Sequence, residues 1–142
     1  MSHPVHPAVV HFPVACWSLA TLADGVGLLW APPWLWQLAF ALTVLGCAFG
    51  LVAVLAGFWE LLKLPAEHPA GSTAHAHMGL ALTSWCLYAG SALLRLHDRQ
   101  PLPPDTLALA LSGAGLLALL ATGWLGGRLV YGYGVGVTPR KG

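Results

Sequence analysis

The stretch AFALTVLGCAFGLVAVLAGFWE, residues 39–60, decides the fold class of the chain. It has no charged residue before Glu60, and it exceeds the roughly 20 apolar residues that a helix needs to cross the hydrocarbon core of a bilayer. Because no water is present there, the backbone N–H and C=O groups must pair within the segment, which makes it helical. The stretch therefore predicts a membrane-spanning α-helix.

The composition of the whole chain extends this prediction. Of its 142 residues, 57% are hydrophobic and 8% are charged, whereas a soluble domain has about 25% charged residues. The mean hydropathy is +0.71, and Asp24 is the single charged residue before Glu60. We therefore expect an integral membrane protein in contact with the lipid bilayer. The net charge of +1 and the lack of a basic run argue against nucleic acid as a partner.

Four apolar segments are long enough to span a membrane, at about residues 9–30, 34–64, 77–96 and 106–130. Their connections are short, which favours antiparallel neighbours. The sequence thus predicts an all-α fold, an integral membrane antiparallel four-helix bundle in one domain of residues 1–142. We name side A the membrane surface with both termini and the connection between the second and third spans, and side B the opposite surface. Side A has more Lys and Arg than side B, which predicts cytoplasmic termini.

Small and polar residues recur at helical spacing in three of the spans, and such faces pack against other helices in a membrane. In the second span this stripe consists of Ala39, Thr43, Gly46, Gly50, Ala53 and Gly57, and it leads to Glu60. In the third span it consists of His77, Ala81, Ser84, Tyr88, Ser91 and Arg95. In the first span we expect it to consist of His11, Ala15, Ser18, Leu22 and Gly25. His11, His77 and Glu60 are therefore predicted to face the bundle interior near side A.

Charged residues in the spans are expected to find partners, because an unpaired charge is costly in lipid. Arg128 lies at a depth similar to that of Glu60 and is expected to neutralise it. Near side B, Asp24 is expected to pair with Arg95 or Arg99.

Three segments carry a family resemblance: HPAVVHFP at residues 6–13, GFWE at residues 57–60, and GWLGGRLVY at residues 123–131 followed by GVGV at residues 134–137. In combination they resemble a bacterial membrane protein family catalogued as domain of unknown function 2231, over nearly the whole chain. The resemblance implies a four-helix protein of the bacterial inner membrane, without an assigned activity. The family pattern includes His6, His11 and His77, and an acid is common at the position of Glu60.

Six of the seven histidines are expected at side A, and imidazole is both costly in lipid and a common metal ligand. Our first hypothesis is a membrane b-type cytochrome-like protein that binds haem b between its helices and transfers electrons. Its redox partner would be a quinone or a redox protein. The expected cofactor-binding residues are His11 and His77 as axial ligands, His6, Gly57 for space, and Arg128 and Tyr131 for the haem propionates.

Two other hypotheses remain open. Neutral imidazoles with a carboxylate also suit copper or zinc, and the expected metal ligands are His11, His77, His6, His75 and Glu60. Alternatively, the chain is a non-redox structural or accessory subunit in which these groups form a buried hydrogen-bond network. No catalytic residue is assigned, so an enzymatic activity stays open, as does a homo-oligomeric state.

Overall fold

The computed structural model of the protein describes residues 9–30, 32–97 and 100–137. Four α-helices account for most of them: α1 (His11–Gly27), α2 (Pro33–Leu61), α3 (Gly71–Leu94) and α4 (Thr106–Gly127). A π-helical segment, Arg128–Gly132, continues α4. The strands β1 (Leu96–His97) and β2 (Gln100–Pro101) pair antiparallel in the turn between α3 and α4. The predicted all-α four-helix fold is confirmed.

The helix boundaries follow local signals in the sequence. α2 begins at Pro33, where a missing N–H costs nothing, and it ends shortly before Pro65. At the start of α4, the carboxylate of Asp105 accepts a hydrogen bond of 2.7 Å from the backbone N–H of Ala108. α3 begins at Gly71 rather than near residue 77 as predicted, so a turn and a half of helix precedes His77.

The interior of the bundle contains small and polar residues, and its surface contains large apolar ones. The residues of α2 predicted to face inward are all buried: Ala39, Thr43, Gly46, Gly50, Ala53 and Gly57. Large side chains point outward, with exposed fractions of 92% for Leu29, 72% for Leu93 and 70% for Leu117. Such an apolar exterior is expected where lipid replaces water around the protein.

Within the described residues, two helical segments are long and apolar enough to cross a membrane, Pro33–Leu61 and Thr106–Gly132. Only 28% of the most apolar part of each segment is buried inside the bundle, so most of it faces outward. The passage of α1 and α3 through the membrane stays a prediction, because neither meets the same length and apolarity criteria.

The four helices form two tight hairpins, α1 with α2 and α3 with α4. Among neighbouring helices, packing is dense within each hairpin, looser between α2 and α3, and loosest between α1 and α4. The antiparallel order and short connections give this arrangement. The bundle therefore has a seam between the two hairpins.

Trp17 fills the centre of this seam. Its ring stacks on that of Tyr88, with ring centroids 4.8 Å apart and planes 3° from parallel. On its other side it lies against the backbone of α2 at Gly46 and Gly50, where a Cβ atom would come within 2.5 Å and 2.8 Å of the indole. The Tyr88 ring in turn lies against Gly115 of α4. Glycines on α2 and α4 thus admit two aromatic rings between the helices.

The interior hydroxyl groups are of two kinds. The side chains of Thr43, Ser84 and Thr122 each donate to the carbonyl four residues earlier, at 2.8 Å, 3.0 Å and 2.8 Å. These three therefore satisfy their polarity without joining neighbouring helices. Others link helices: the Tyr88 hydroxyl lies 2.7 Å from Thr21 Oγ1 of α1, and Ser91 Oγ of α3 donates to the Ala108 carbonyl of α4 at 2.8 Å.

A buried ion pair joins three helices near side B. Arg95, at the end of α3, donates from Nη1 and Nη2 to the two carboxylate oxygens of Asp24 on α1, at 2.7 Å and 2.6 Å. Its Nη2 also donates to Ser112 Oγ of α4 at 3.0 Å, and its Nε to Ser91 Oγ at 3.2 Å. The two charged side chains are 0% and 3% exposed. The predicted pairing of Asp24 with Arg95 is confirmed.

Replacement of Gly46 by Ala should destabilise the protein by about 1–3 kcal/mol, because the new methyl group overlaps the Trp17 indole. Thermal unfolding in detergent measures the change. Gly79→Ala is the matched control, because no atom lies within 4 Å of a Cβ at that helical position. It should leave stability unchanged or raise it by up to about 1 kcal/mol. Equal stability of the two variants would contradict the packing described here.

Removal of one member of the ion pair should cost about 3–5 kcal/mol, because the other charge stays buried without compensation. We expect this for Asp24→Leu and for Arg95→Met. The double variant should be more stable than either single variant, since it leaves no buried charge. Denaturant titration of the three proteins tests this order. A double variant with the summed loss of both single variants would refute the coupling.

Candidate functional site

A small cavity lies between the two hairpins toward side A. All four helices contribute to its walls, which include Pro13 and Trp17 of α1, Gly50 and Ala53 of α2, His77 and Ala81 of α3, and Leu119 and Thr122 of α4. Its volume is about 50 Å³. Apart from His77 and Thr122, these walls are apolar or made of glycine. The imidazole is therefore the side chain at this site that is best suited to bind a metal ion.

The imidazole of His77 has a fixed orientation. Its Nδ1 lies 3.0 Å from the backbone carbonyl oxygen of Thr122 on α4. Because a carbonyl oxygen only accepts, Nδ1 must carry the proton, and in the neutral ring the lone pair is then on Nε2. The ring edge lies against Gly126, where a Cβ atom would come within 3.3 Å of His77 Cε1. The predicted inward position of His77 is confirmed by its place in the cavity wall.

His11 does not share this cavity wall, and the predicted inward stripe of α1 is wrong. His11, Ala15, Leu22 and Gly25 are exposed, whereas the buried residues of α1 are Pro13, Trp17, Ala20, Ala23 and Asp24. The two sets differ by two residues, or about 200° of helix rotation. The bulk of Trp17 and the charge of Asp24 determine the inward face, and they turn His11 away from it.

His75 and His77 point in different directions. Both belong to α3, and a separation of two residues places them about 200° apart around the helix. His75 is exposed, with its Nδ1 2.8 Å from the carbonyl oxygen of Gly71. The two rings therefore cannot bind one ion together, which removes the local His-Ala-His motif as a metal-binding unit.

The remaining predicted site residues are spread along side A. Gly57 is buried in α2, and Glu60, one turn later, is partly exposed. The Arg128 guanidinium lies over the Trp124 ring, 5.9 Å from its centroid, and the ion pair found among the described residues is that of Asp24 with Arg95. The expected pairing of Glu60 with Arg128 is therefore not found. Tyr131 is 92% exposed.

Across residues 9–30, 32–97 and 100–137, no three His, Cys, Asp or Glu side chains come together as a metal site. The predicted ligand His6 lies outside the described residues. The predicted set of metal ligands is therefore not assembled within the described part of the chain.

Comparison with protein families identifies the family of the chain. A family model described as "Predicted membrane protein (DUF2231)" matches residues 2–139. The chain belongs to the DUF2231 family. No curated protein and no solved structure matches it. Both its family and its composition thus indicate that this DUF2231 protein is a membrane protein.

Two features of the site go beyond what the sequence analysis of the DUF2231 protein predicts. The acceptor for His77 is a backbone carbonyl, which every residue has, so only the packing of α3 against α4 selects Thr122. The position of Trp17 does have a signal in the sequence, because a bulky ring opposite Gly46 and Gly50 predicts insertion between helices.

The hydrogen bonds predict opposite tautomers for two histidines of the DUF2231 protein when both rings are neutral. His77 should carry its proton on Nδ1, as donor to Thr122. His68 should carry its proton on Nε2, because its Nδ1 accepts from the backbone N–H of Ala70 at 3.1 Å. NMR of protein with ¹⁵N-labelled histidine distinguishes the two forms, and the His77→Gln and His68→Gln variants assign the signals. The same tautomer at both positions would contradict this geometry.

Proposed function

We propose that this DUF2231 protein binds haem b at side A of the bacterial inner membrane, with His77 as an axial ligand, and that it transfers electrons. The bond from His77 Nδ1 to the Thr122 carbonyl oxygen carries the proposal. Histidines that bind a metal almost always donate their other ring N–H to a fixed acceptor, which orients the ring and raises the basicity of the ligating nitrogen. In this chain the acceptor belongs to a different helix, so the packing of the bundle orients the ring.

The second axial ligand is assigned to the amino-terminal histidines. His11 lies on the outward face of α1, away from the cavity. His6 is the other amino-terminal histidine of the predicted ligand set, and it lies outside the described residues. We therefore rank His6 before His11 as the partner of His77.

A porphyrin requires more space than the cavity of about 50 Å³ beside His77. The seam between the hairpins is the place where we expect this space, because α1 and α4 are less closely packed than the other neighbouring helices. Gly126, next to the imidazole, and Gly57, buried near the same end of the bundle, carry no side chain that a flat ring would have to displace. Arg128 and Tyr131 are exposed at side A, where they are available to the haem propionates.

Haem held by two imidazoles exchanges single electrons without making or breaking covalent bonds. The proposal therefore includes a redox partner, either a membrane quinone or a redox protein. It also includes cytoplasmic termini, in accord with the excess of Lys and Arg on side A.

Copper or zinc is the second candidate occupant of His77. It is less favoured, because the described residues contain no group of three ligands around this ring. The same purified protein distinguishes the two, since stoichiometric copper or zinc without porphyrin would replace the haem proposal.

The absorption spectrum of the protein, purified in detergent from haem-replete cells, should show a Soret band that shifts on reduction with dithionite. His77→Ala should lose this band by at least about tenfold, because truncation removes the axial ligand. His75→Ala is the matched control: the residue lies two positions earlier on α3, is exposed, and should leave the band unchanged. His6→Ala and His11→Ala then identify the second ligand.

Either of two results would overturn the proposal. One is a wild-type spectrum without a Soret band. The other is a His77→Ala variant that retains the band at full intensity. Far-UV circular dichroism of each variant verifies that the helices are intact.

A further inference from the structure

A second cavity lies at the opposite end of the bundle, next to the buried ion pair. Its volume is about 120 Å³, and its walls include Asp24 and Gly27 of α1, Trp36 of α2, and Pro103 and Pro104 before α4. His77 lies near the other end of α3 from Arg95, so this side-B cavity is separate from the site proposed for haem. Occupation of one does not require occupation of the other.

The chemistry of the walls restricts the ligand. Asp24 supplies the one charged group, and the other lining residues are apolar side chains or glycine. Each carboxylate oxygen already accepts one hydrogen bond from Arg95, and each has a further lone pair. Because Arg95 compensates the charge of Asp24, a neutral hydrogen-bond donor suits this wall better than a cation does.

The volume of the cavity limits the size of the ligand. The cavity of about 120 Å³ is somewhat smaller than the apolar cavity of about 150 Å³ that holds a benzene molecule, so it admits at most one six-membered ring, whose substituents must extend through the open side. The indole of Trp36 and the proline rings offer flat apolar surfaces to such a ring. The position also fits a membrane ligand, because Trp30 and Trp34 mark the interfacial zone at this end, with their rings edge to face and the centroids 5.8 Å apart.

We propose that the side-B cavity binds the ring of a membrane quinol, with one ring hydroxyl donating to the carboxylate of Asp24. A hydroxylated ring on an apolar tail combines the single donor, the single ring and the membrane location that the cavity requires. The oxidised quinone is disfavoured, because its carbonyl oxygen would face a carboxylate oxygen, and neither group donates. The site therefore selects the reduced form.

Binding is measured with a decyl-substituted benzoquinol and the protein in detergent, by calorimetry under anaerobic conditions. The quinol should bind at least about tenfold more tightly than the corresponding benzoquinone, because it alone donates a hydrogen bond to a charged acceptor. The dimethyl ether of the same quinol, which has no hydroxyl group, should bind as weakly as the quinone. These three probes use the unmodified protein.

A cavity-filling variant locates the site. Gly27→Leu places a side chain in the cavity wall, where a Cβ atom has only an ordinary contact at 4.0 Å with Leu35, and it should weaken quinol binding at least about tenfold. Gly25→Leu is the matched control, since it lies two residues earlier on α1 with no atom within 4 Å. It should bind as the wild type does.

Equal affinity for quinol and quinone would overturn the proposal, as would equal binding by the Gly27→Leu and Gly25→Leu variants. His77→Ala should retain quinol binding, and Gly27→Leu should retain any Soret band. The failure of one proposal is thus distinguishable from the failure of the other.

Discussion

The carboxylate of Asp24 and the guanidinium of Arg95 impose the main constraint on this bundle. Both groups are removed from solvent, and each would be costly in an apolar interior without the other. The pair is satisfied further by Ser91 and Ser112, and the Ser91 hydroxyl donates to the Ala108 carbonyl at 2.8 Å. α1, α3 and α4 must therefore meet at one rotation and one depth. The positions of Trp17, Tyr88 and the cavities are consistent with that register.

The sequence predicted the inward faces of α2 and α3 because a single rule determined each of them. On α2, every small residue of the stripe is buried, since no larger polar group competes for the interior. On α3, the buried residues Ser84, Tyr88, Ser91 and Arg95 belong to the predicted stripe, and polarity and helical spacing agree. In such helices the pattern of residue types is sufficient to predict which face is buried.

On α1, the position of His11 and the position of Asp24 indicated different inward faces, and the prediction followed His11. The choice of His11 as an inward residue assumed that imidazole avoids the exterior. In the structure Trp17 and Asp24 take the interior, because an unpaired carboxylate is more costly in lipid than an imidazole close to the membrane surface. A phase chosen from Asp24 would have placed Trp17 against the glycines of α2 from sequence alone.

The candidate site was predictable only in part for a different reason. His77 was identified from residue type and phase, but the group that orients it is a backbone carbonyl on another helix. The place of His75 on the opposite face of α3 depends on where that helix starts, and no side-chain cap marks Gly71 as its beginning. Contacts that depend on helix register rather than on side-chain identity are not encoded in residue patterns.

The interior hydroxyls that bond within their own helices give the two ends of the bundle different mechanical properties. Toward side A, the hydroxyl of Thr122 donates within its own helix and would keep its partner if the hairpins moved apart. Toward side B, the same movement would break the two charge-assisted hydrogen bonds between Arg95 of α3 and Asp24 of α1. The two hairpins are therefore held together more firmly at the Arg95 end of the bundle than at the His77 end.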